Sequence, residues 1–273
     1  MVSKLFSPIG IEMPLRFLTA LPVYNEEKYV QSVLQSVSRY AEDILVVDDG
    51  STDATAHRLR AFNKRVHVVT HTTNQGYGAA LRSAFQFGIE GNYDVLVTID
   101  CDGQHEPQRI PEFVAVCRDS SVAIPPDIVS GSRYLKNFSG DVAAPKERQS
   151  INRQLTEKIN RKLKLDLTDV FCGFKSYRVA CLPQLKTTEN GYAMPLELWV
   201  RAACAKMNIV ELAIPLVYLE EERSFGGALD DGRTRLNYYH RVLDEALHAV
   251  VRDGGPDQTD PDQTAQLCGE SQR

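Results

Sequence analysis

Short apolar runs and amphipathic stretches alternate along the first hundred residues. Apolar runs at positions 17–21, 44–47, 66–69 and 95–99 each have the length of a buried strand. Between them, apolar residues recur three and four positions apart, which is typical of a helix packed by one face, and Asn25 would cap the first such helix. Repeated alternation of strand and helix is the pattern of a parallel sheet wound with right-handed crossovers. The sequence therefore predicts an α/β fold whose mostly parallel, Rossmann-like sheet is flanked by helices.

The second half of the chain is less regular but continues this architecture. Its pattern predicts helices at 107–116, 147–165, 196–205 and 235–251, and strands at 128–131, 209–214 and 217–219. Residues 1–14 contain Gly10 and two prolines and predict a flexible arm. Residues 253–273 are rich in Gly, Pro, Asp, Gln and Thr and predict a disordered tail. We therefore expect a single domain over residues 15–252.

Every predicted strand of the first half leads into polar or glycine-rich residues. These lie at 24–26, 48–49, 74–78 and 100–102. Because the carboxyl ends of parallel strands share one edge of a sheet, we expect these groups to lie together. Taken singly, each is an ordinary structural turn. Their convergence favours a nucleotide-sized site that binds both a base and phosphates.

The fourth predicted strand ends in two carboxylates, Asp100 and Asp102. They are two positions apart, so in extended chain both side chains leave on the same side, while Cys101 between them points into the sheet. Paired hard oxygens suit Mg²⁺ or Mn²⁺, which keeps waters and takes further ligands from phosphates. Asp and Gly are also common turn residues, so this segment alone leaves a metal site and a plain turn as alternatives.

A glycine-rich segment, Asn-Gln-Gly-Tyr-Gly at 74–78, opens the helix after the third strand. Backbone N–H groups at a helix start can bind an anion such as phosphate. The segment lacks the third glycine of the dinucleotide-binding fingerprint, so that motif is not present. We expect its N–H groups to face the nucleotide.

The composition narrows the class of protein. A net charge of −5 gives no support to broad nucleic-acid binding, which favours a basic surface. Six cysteines show no CxxC spacing, which favours reduced thiols over a zinc site or disulfides. The sequence has no apolar run of about 18 residues and no signal-peptide pattern, so we expect a soluble, cytoplasmic protein.

Several motifs in fixed order resemble the inverting family 2 glycosyltransferases. They stand at 22–26 (Pro-Val-Tyr-Asn-Glu), 46–53 (Val-Val-Asp-Asp-Gly-Ser-Thr-Asp), 74–76 (Asn-Gln-Gly) and 99–105 (Ile-Asp-Cys-Asp-Gly-Gln-His). The segments 131–133 (Gly-Ser-Arg) and 169–175 (Asp-Val-Phe-Cys-Gly-Phe-Lys) are similar to the branch that transfers hexoses to polyprenyl phosphates, such as dolichyl-phosphate mannosyltransferases. The resemblance spans about residues 17–219 and implies a GT-A fold, a nucleotide-sugar donor, a divalent metal and a lipid-phosphate acceptor.

The resemblance also implies roles for individual residues. The donor would be bound by Pro22, Tyr24, Glu26, Val47, Asp49, Gly76, Asp100 and Asp102. The metal, Mg²⁺ or Mn²⁺, would be held by Asp100, Asp102 and Gln104. Asp102 and Arg133 would act at the reacting centre, and the acceptor phosphate would meet Arg133, Arg148 and Arg223. Arginine suits these roles because it stays charged and binds phosphate in a bidentate manner. His105 is expected to be structural, or to support a metal ligand.

The expected function is the metal-dependent, inverting transfer of mannose or glucose from GDP- or UDP-sugar to a polyprenyl or dolichyl phosphate. One alternative is a family 2 transferase with a soluble glycan or small-molecule acceptor, which the unusual residues 228–236 leave open. Another is a protein that binds a nucleotide-sugar without turnover. A lipid acceptor would require peripheral membrane contact, for which the basic helix containing Lys158, Arg161 and Lys162 is the expected surface.

Overall fold

The computed structural model describes residues 15–62, 65–119, 121–142, 144–219 and 227–252. Its strands are β1 (Phe17–Val23), β2 (Asp43–Asp48), β3 (His67–Thr70), β4 (Val95–Thr98), β5 (Ile128–Ser132), β6 (Lys175–Arg178) and β7 (Ile209–Ala213). Its α-helices are α1 (Val30–Val37), α2 (Thr55–Leu59), α3 (Tyr77–Glu90), α4 (Ile110–Cys117), α5 (Lys146–Leu163), α6 (Met194–Cys204) and α7 (Gly232–Arg252). Short 3₁₀ turns occupy Arg60–Phe62, Pro107–Arg109, Val179–Gln184 and Gly227–Asp230.

The strands form one sheet in the order β3-β2-β1-β4-β6-β5-β7. All pairs are parallel except those of β6, which runs antiparallel to both β4 and β5. The prediction of a mostly parallel sheet flanked by helices is therefore confirmed. Because Thr98 at the end of β4 pairs with Lys175 at the start of β6, the segment before β6 lies beside the carboxyl end of β4.

The core has two layers, one on each face of the sheet. Along β1 and β2, successive side chains alternate between the two apolar clusters, as the two-residue period of a strand requires. One cluster is covered by α1 and α4, and the other by α3, α5, α6 and α7. All the carboxyl ends of the parallel strands therefore open at one edge of a helix–sheet–helix sandwich.

Two local predictions are wrong. Residues 217–219 do not form a strand; this segment is instead tied to the loop after β5, because Leu216 N donates to Asp141 Oδ1 and Val142 N donates to Leu216 O. Asn25 does not cap α1, which begins at Val30 after Tyr29. Asn25 adopts φ 55°, and its Oδ1 accepts a 2.8 Å hydrogen bond from Thr52 N, which joins the loops after β1 and β2.

The remaining predictions on the chain's organisation concern its ends, its helices and its cysteines. The arm at 1–14, the tail at 253–273 and Arg223 lie outside the described residues, and the domain limits 15–252 stay a prediction. Within the described ranges, no helix combines the length and apolarity needed to cross a bilayer. The five cysteines placed there are not joined in disulfides, and Cys101 is buried in the core as predicted.

Candidate active site

A cavity of about 620 Å³ opens at the carboxyl edge of the sheet. Its lining includes the residues that follow β1, β2, β4 and β5, and those that open α3, as the argument from strand ends predicts. The predicted site residues that line this cavity are Pro22, Tyr24, Glu26, Asp49, Gly76, Asp100, Asp102, Gln104, Arg133 and Arg148. The edge of the sheet therefore gathers these predicted residues, which span 126 positions from Pro22 to Arg148, into one site.

Asp100 and Asp102 both reach the cavity from the loop that follows β4. Tyr77 Oη donates a 3.1 Å hydrogen bond to Asp100 Oδ1, and Gln104 N donates a 2.9 Å bond to Asp102 Oδ1. Gly173 packs against the other side of Asp100, so closely that a Cβ placed there would lie 2.2 Å from Asp100 Oδ2. The Asp100 carboxylate is therefore held between a tyrosine hydroxyl and a glycine backbone.

The donor chemistry of this loop fits a hard divalent cation. Two carboxylates and the amide of Gln104 line the same cavity, and oxygen ligands of this kind suit Mg²⁺ or Mn²⁺. In the described part of the chain, no group of three or more His, Cys, Asp or Glu side chains is arranged so that it could hold a metal ion by itself. A cation here would complete its shell with water or phosphate oxygens, as such ions commonly do in phosphate-binding sites.

His105 lies behind the Asp100 carboxylate rather than in the cavity. Its side chain is 5% exposed, Nδ1 is 3.9 Å from Asp100 Oδ2, and Nδ1 also lies 3.3 Å from Asp100 N. The ring packs against Phe174, with centroids 5.5 Å apart. These contacts agree with the expectation that His105 supports Asp100 structurally.

The structure changes the interpretation of the glycine-rich segment before α3. The N–H groups of Gln75 and Gly76 donate to Asp49, at 2.9 and 2.7 Å, and those of Gly78 and Ala79 donate to Asn190 O. The expectation that this segment presents its N–H groups to the ligand is wrong, because an internal carboxylate and a carbonyl occupy them. Gly76 has φ 107°, and a Cβ on it would lie 2.3 Å from Asn190 O, so only glycine fits.

Asp49 is 2% exposed and is engaged by the chain itself. Besides the two backbone bonds, its Oδ1 lies 2.6 Å from His71 Nδ1, and His71 Nε2 lies 2.8 Å from Ser83 Oγ. Asp49 therefore fixes the turn that shapes one wall of the cavity. The contact between Asp49 and the donor stays a prediction. If the contact forms, Asp49 makes it from a position that its internal hydrogen bonds already hold.

We expect Asp49→Ala to destabilise the ligand-free protein as well as to weaken nucleotide binding. The change leaves the part-buried N–H groups of Gln75 and Gly76 without their acceptor, and we expect a loss near the low end of the roughly 1–3 kcal/mol that an unsatisfied buried donor costs. Urea unfolding without ligand measures the effect, with Ser83→Ala as a milder control at the end of the same chain of contacts. An unchanged unfolding midpoint would contradict this role.

The placement of Val47 as a donor contact is wrong. Its side chain is fully buried in the apolar cluster beneath the sheet, and it does not line the cavity. Val47 stands one position before the end of β2, where the two-residue period turns its side chain inward.

Arg133, which follows β5, is fixed by a partner that the sequence analysis did not assign. Asp169 accepts hydrogen bonds from Arg133 Nε at 2.6 Å and Nη2 at 2.9 Å, a bidentate pair, and a third from Asn152 Nδ2 at 2.8 Å. Burial alone would raise the pKa of Asp169, but the charge of Arg133 and these hydrogen bonds outweigh it and lower the pKa to about 2. Arg133 is therefore a permanently charged, oriented group in the cavity wall.

Two further arginines line the cavity on the side of α5 and α7. The Arg148 guanidinium carbon lies 5.6 Å from the centroid of Tyr218, and both residues line the cavity. Arg235, which the sequence analysis did not identify, is 4% exposed, and its Nη2 donates a 2.7 Å hydrogen bond to Glu147. Arg133, Arg148 and Arg235 therefore bring three guanidinium groups to the cavity lining, and two of them, Arg133 and Arg235, are ion-paired to Asp169 and Glu147.

The family of the chain follows from comparison with known proteins. A model of the domain named Glycosyl transferase family 2 matches residues 19–185, which include the loops after β1, β2, β4 and β5. The chain belongs to the family 2 glycosyltransferases. It is thus an enzyme that transfers a glycosyl group, and the alternative of a binding protein without turnover is set aside.

Two relatives align with this glycosyltransferase over most of its length. The undecaprenyl-phosphate mannosyltransferase of Micrococcus luteus is 32% identical over 219 residues, covering 76% of this chain and 85% of the relative. The polyprenol monophosphomannose synthase of Mycolicibacterium smegmatis is 30% identical over 225 residues, covering 79% and 82%.

Solved structures show the same fold. Glucosyl-3-phosphoglycerate synthase from Mycobacterium tuberculosis, in complex with UDP, superposes with a TM-score of 0.61 at 22% identity, over 89% of this chain and 82% of that one. The single seven-stranded domain of this glycosyltransferase is therefore of the GT-A type, as the resemblance implied.

The cavity of this glycosyltransferase also contains aromatic residues that sequence reasoning missed. Tyr77 and Tyr192 stack with centroids 5.8 Å apart, and Phe171 and Tyr239 pair at 4.9 Å; all four line the cavity. Tyr192 belongs to the loop before α6, whose Asn190 carbonyl binds the start of α3. Tyr77 and Phe171 belong to the quoted segments 74–78 and 169–175, which gave no role to either ring, whereas no local signal marks Tyr192 or Tyr239.

The basic face of α5 is not the free surface that the sequence suggests. Lys158 Nζ donates a 2.8 Å hydrogen bond to Asp244 on α7 and lies 3.2 Å from His240 Nδ1, and its side chain is only 19% exposed. The proposal of Lys158 as a membrane-facing charge is therefore wrong, because this lysine joins two helices. Arg161 is exposed and Lys162 half-buried near the end of α5.

Proposed function

We propose that this glycosyltransferase moves a hexose from a nucleotide-sugar to a polyprenyl phosphate, with inversion and with a divalent metal. The observation that carries the proposal is the lining of one cavity, which combines the carboxylates of Asp100 and Asp102 with the polar residues after β1 and β2 and with three arginines. The three groups of residues would bind the nucleoside, the diphosphate and the acceptor phosphate, respectively.

The nucleoside end is supported by the residues after β1 and β2. Pro22, Tyr24 and Glu26 line the cavity beside Asp49. Tyr24 is 39% exposed, and it offers an aromatic face to a base, while the carboxylates offer acceptors to ribose hydroxyls or base N–H groups.

The diphosphate end is supported by Asp100, Asp102 and Gln104, which would hold Mg²⁺ or Mn²⁺. Bound there, the cation would offset the negative charge that develops on the diphosphate as its bond to the sugar breaks. Structures of the M. tuberculosis glucosyl-3-phosphoglycerate synthase contain Mn²⁺ with UDP-glucose, or Mg²⁺ with UDP. The guanidinium of Arg133, which Asp169 holds in one orientation, lines the same cavity and would donate hydrogen bonds to phosphate oxygens there.

The acceptor end is supported by the arginines and by the names of the relatives. An oxygen of the acceptor phosphate would attack the anomeric carbon of the sugar, and the nucleoside diphosphate would leave from the opposite face, which inverts the configuration. A phosphate monoester is largely a dianion at neutral pH, because its second pKa is about 6, so no general base is required. Arg148 and Arg235 would neutralise and orient this nucleophile.

The test is transfer to defined acceptors. The enzyme is mixed with GDP-mannose or UDP-glucose, with Mn²⁺ or with EDTA, and with a polyprenyl phosphate, a short soluble prenyl phosphate, phosphoglyceric acid or a neutral oligosaccharide. We expect metal-dependent release of nucleoside diphosphate only with the prenyl phosphates, and a product of inverted anomeric configuration by NMR. Transfer only to phosphoglyceric acid, which M. tuberculosis glucosyl-3-phosphoglycerate synthase binds, or only to the oligosaccharide, would replace the proposal with a soluble acceptor.

We expect Gly173→Ala to weaken the metal site without removing a ligand. The new Cβ would lie 2.2 Å from Asp100 Oδ2, so the carboxylate must move. Changes in groups that orient metal ligands typically cost about 10–100-fold in metal affinity or activity. The measurements are the Mn²⁺ concentration for half-maximal turnover and the thermal stabilisation by Mn²⁺ with nucleotide.

Gly88→Ala is the matched control for Gly173→Ala. Its Cβ would meet nothing closer than 3.8 Å, and it lies inside α3, where alanine is favoured over glycine. Metal dependence that is the same in wild type, Gly88→Ala and Gly173→Ala would show that Asp100 does not depend on this packing.

A further inference from the structure

A carboxylate outside the cavity, that of Glu211, is engaged by the segment that carries Asp169. Glu211 is the central residue of β7, in which Val210 and Leu212 pack on the apolar cluster covered by α1 and α4. By the two-residue period of a strand, the Glu211 side chain leaves on the other face of the sheet, where Ile209 packs. A carboxylate placed against an apolar layer is costly unless hydrogen-bond donors surround it. Because Glu211 does not line the cavity, any effect on the reaction must pass through the residues that it contacts.

Three donors of the segment 168–169 bind Glu211. Thr168 N and Thr168 Oγ1 each donate to Glu211 Oε2 at 2.8 Å, and Asp169 N donates to Glu211 Oε1 at 3.1 Å. Burial raises the pKa of Glu211, but each of these contacts has the carboxylate as acceptor, which favours its ionised form. Glu211 thereby fixes the backbone of the residue whose side chain holds Arg133.

A second connection runs from Glu211 to the turn that follows β5. The single hydroxyl proton of Thr168 is donated to Glu211, so Thr168 Oγ1 accepts its other hydrogen bond from Ser132 Oγ. Ser132 Oγ in turn accepts the N–H of Tyr134 at 3.2 Å and that of Leu135 at 3.1 Å. The two hydroxyl groups therefore donate in one direction, and the acceptor at the end of the chain, Glu211, sets that direction.

Both connections meet at Arg133. Its neighbours in sequence, Ser132 and Tyr134, belong to the chain of hydroxyl groups, and its counterion, Asp169, is held by its own N–H group. Asp169 takes Nε–H and one N–H of Nη2 of Arg133, so the carboxylate determines where the remaining N–H bonds on Nη1 and Nη2 point. Those bonds are the ones left to a phosphate in the cavity.

We propose that Glu211 is a positioning residue for sugar transfer, which holds the segment 168–169 and, through it, the orientation in which Arg133 meets a phosphate group. The inference rests on the proposed function, because that function supplies the phosphate on which Arg133 acts. No bond is made or broken at Glu211. Its effect depends on geometry, since a guanidinium binds phosphate through N–H groups in a rigid planar fork.

The first experiment observes Arg133 without turnover. Its Nε–H donates to Asp169 at 2.6 Å, so we expect a slowly exchanging signal in arginine side-chain proton–nitrogen spectra, identified by its absence from Arg133→Gln. Glu211→Gln keeps the size of the side chain but replaces one acceptor oxygen by a donor, which then faces the N–H of Thr168 or of Asp169. We expect the Arg133 signal to exchange with water about tenfold faster or more in this variant, because one buried donor loses its acceptor.

Asp127→Asn is the matched control. Asp127 directly precedes β5, at the opposite end of the sheet from the cavity, and accepts hydrogen bonds from Asn208 N at 2.8 Å and from Arg178 Nε at 3.1 Å. Since Asn208 directly precedes β7, Asp127 also joins the segments of these two strands, but without contact to Arg133. Equal protection of the Arg133 signal in wild type, Glu211→Gln and Asp127→Asn would overturn the proposal, and so would equal deprotection in both variants.

The second experiment measures transfer with saturating substrates at a temperature where urea unfolding shows every variant to be folded. We expect Glu211→Gln to lower kcat about tenfold, less than the roughly 10²–10³-fold loss on removing a charge-stabilising group outright. In the Arg133→Gln background the same change should cost nothing further, because residues that act through one group have non-additive effects. Thr168→Ser, which keeps the hydroxyl, should turn over as wild type does, whereas Thr168→Val should lose turnover as Glu211→Gln does.

The outcomes separate this inference from the proposed function. Additive losses in the double variant Glu211→Gln with Arg133→Gln would overturn the inference, because Glu211 would then act independently of Arg133. Wild-type kcat in Glu211→Gln would overturn it as well. Absence of hexose transfer by the wild-type enzyme would instead refute the proposed function, and the exchange of the Arg133 signal would still decide whether Glu211 orients that side chain.

Discussion

Asp102→Ala should abolish sugar transfer while the protein stays folded. Asp102 lines the cavity and is half-buried, and its carboxylate accepts a hydrogen bond from the N–H of Gln104 two positions ahead, so water in the cavity can replace the carboxylate when it is removed. The site, in contrast, would lose one of the two carboxylates proposed to hold the cation. Removing a single group that stabilises transition-state charge costs about 10²–10³-fold in turnover, and we expect at least that loss.

The measurement is kcat with saturating donor over a range of Mn²⁺ concentrations, together with urea unfolding. Asp166→Ala is the control, because Asp166 is exposed and lies outside the cavity lining. Wild-type turnover of Asp102→Ala in EDTA would remove the metal from the proposed reaction. A large loss of stability in Asp102→Ala would instead show that Asp102 has a structural role.

Asp169→Ala should destabilise the protein by about 3 kcal/mol, at the low end of the range for breaking a buried ion pair. Asp169 is fully buried, and its loss leaves the Arg133 guanidinium and the Asn152 amide without their acceptor. The low end applies because the Arg133 side chain is 23% exposed and can recruit water. Turnover should fall too, since Arg133 would no longer be held in one orientation.

The control for this variant is Glu245→Ala. Glu245 pairs with Arg241 on α7, and both side chains are more than 60% exposed, so we expect a change of at most about 0.5 kcal/mol. Urea unfolding at neutral pH measures both variants. If the two variants lose the same small amount of unfolding free energy, the Arg133–Asp169 pair contributes no more to stability than a surface ion pair.

The same pair predicts a specific pH dependence of stability. The pKa of Asp169 falls from 3.8 to about 2 on folding, so the folded state favours the ionised carboxylate. Its contribution, roughly 2 kcal/mol, is present above pH 3.8 and is lost as the pH falls towards 2. The stability difference between wild type and Asp169→Ala should therefore shrink across this interval. A difference that is constant from pH 5 to pH 2 would contradict the assignment.

The sequence by itself determined the fold class and the edge of the sheet at which the site lies. Apolar runs and helical spacing are local signals, and they define strands and helices without knowledge of their neighbours. Parallel topology then places every strand end at one edge, which is why Tyr24, Asp100 and Asp102 could be assigned to one site from their positions alone, whereas Arg133 was assigned through the family resemblance. These residues all line the cavity.

Only the tertiary structure decided which partner each of these groups has. The antiparallel strand β6 brings Asp169 to Arg133 and Gly173 to Asp100, contacts that span 36 and 73 positions in the chain. Asp49 likewise binds the N–H groups of the glycine-rich segment, and Lys158 binds Asp244 on the last helix. A local pattern fixes the face of an element to which a side chain belongs, but hydrogen bonds and ion pairs form with whichever element packs there. That choice is made by the order of strands in the sheet and by helix packing.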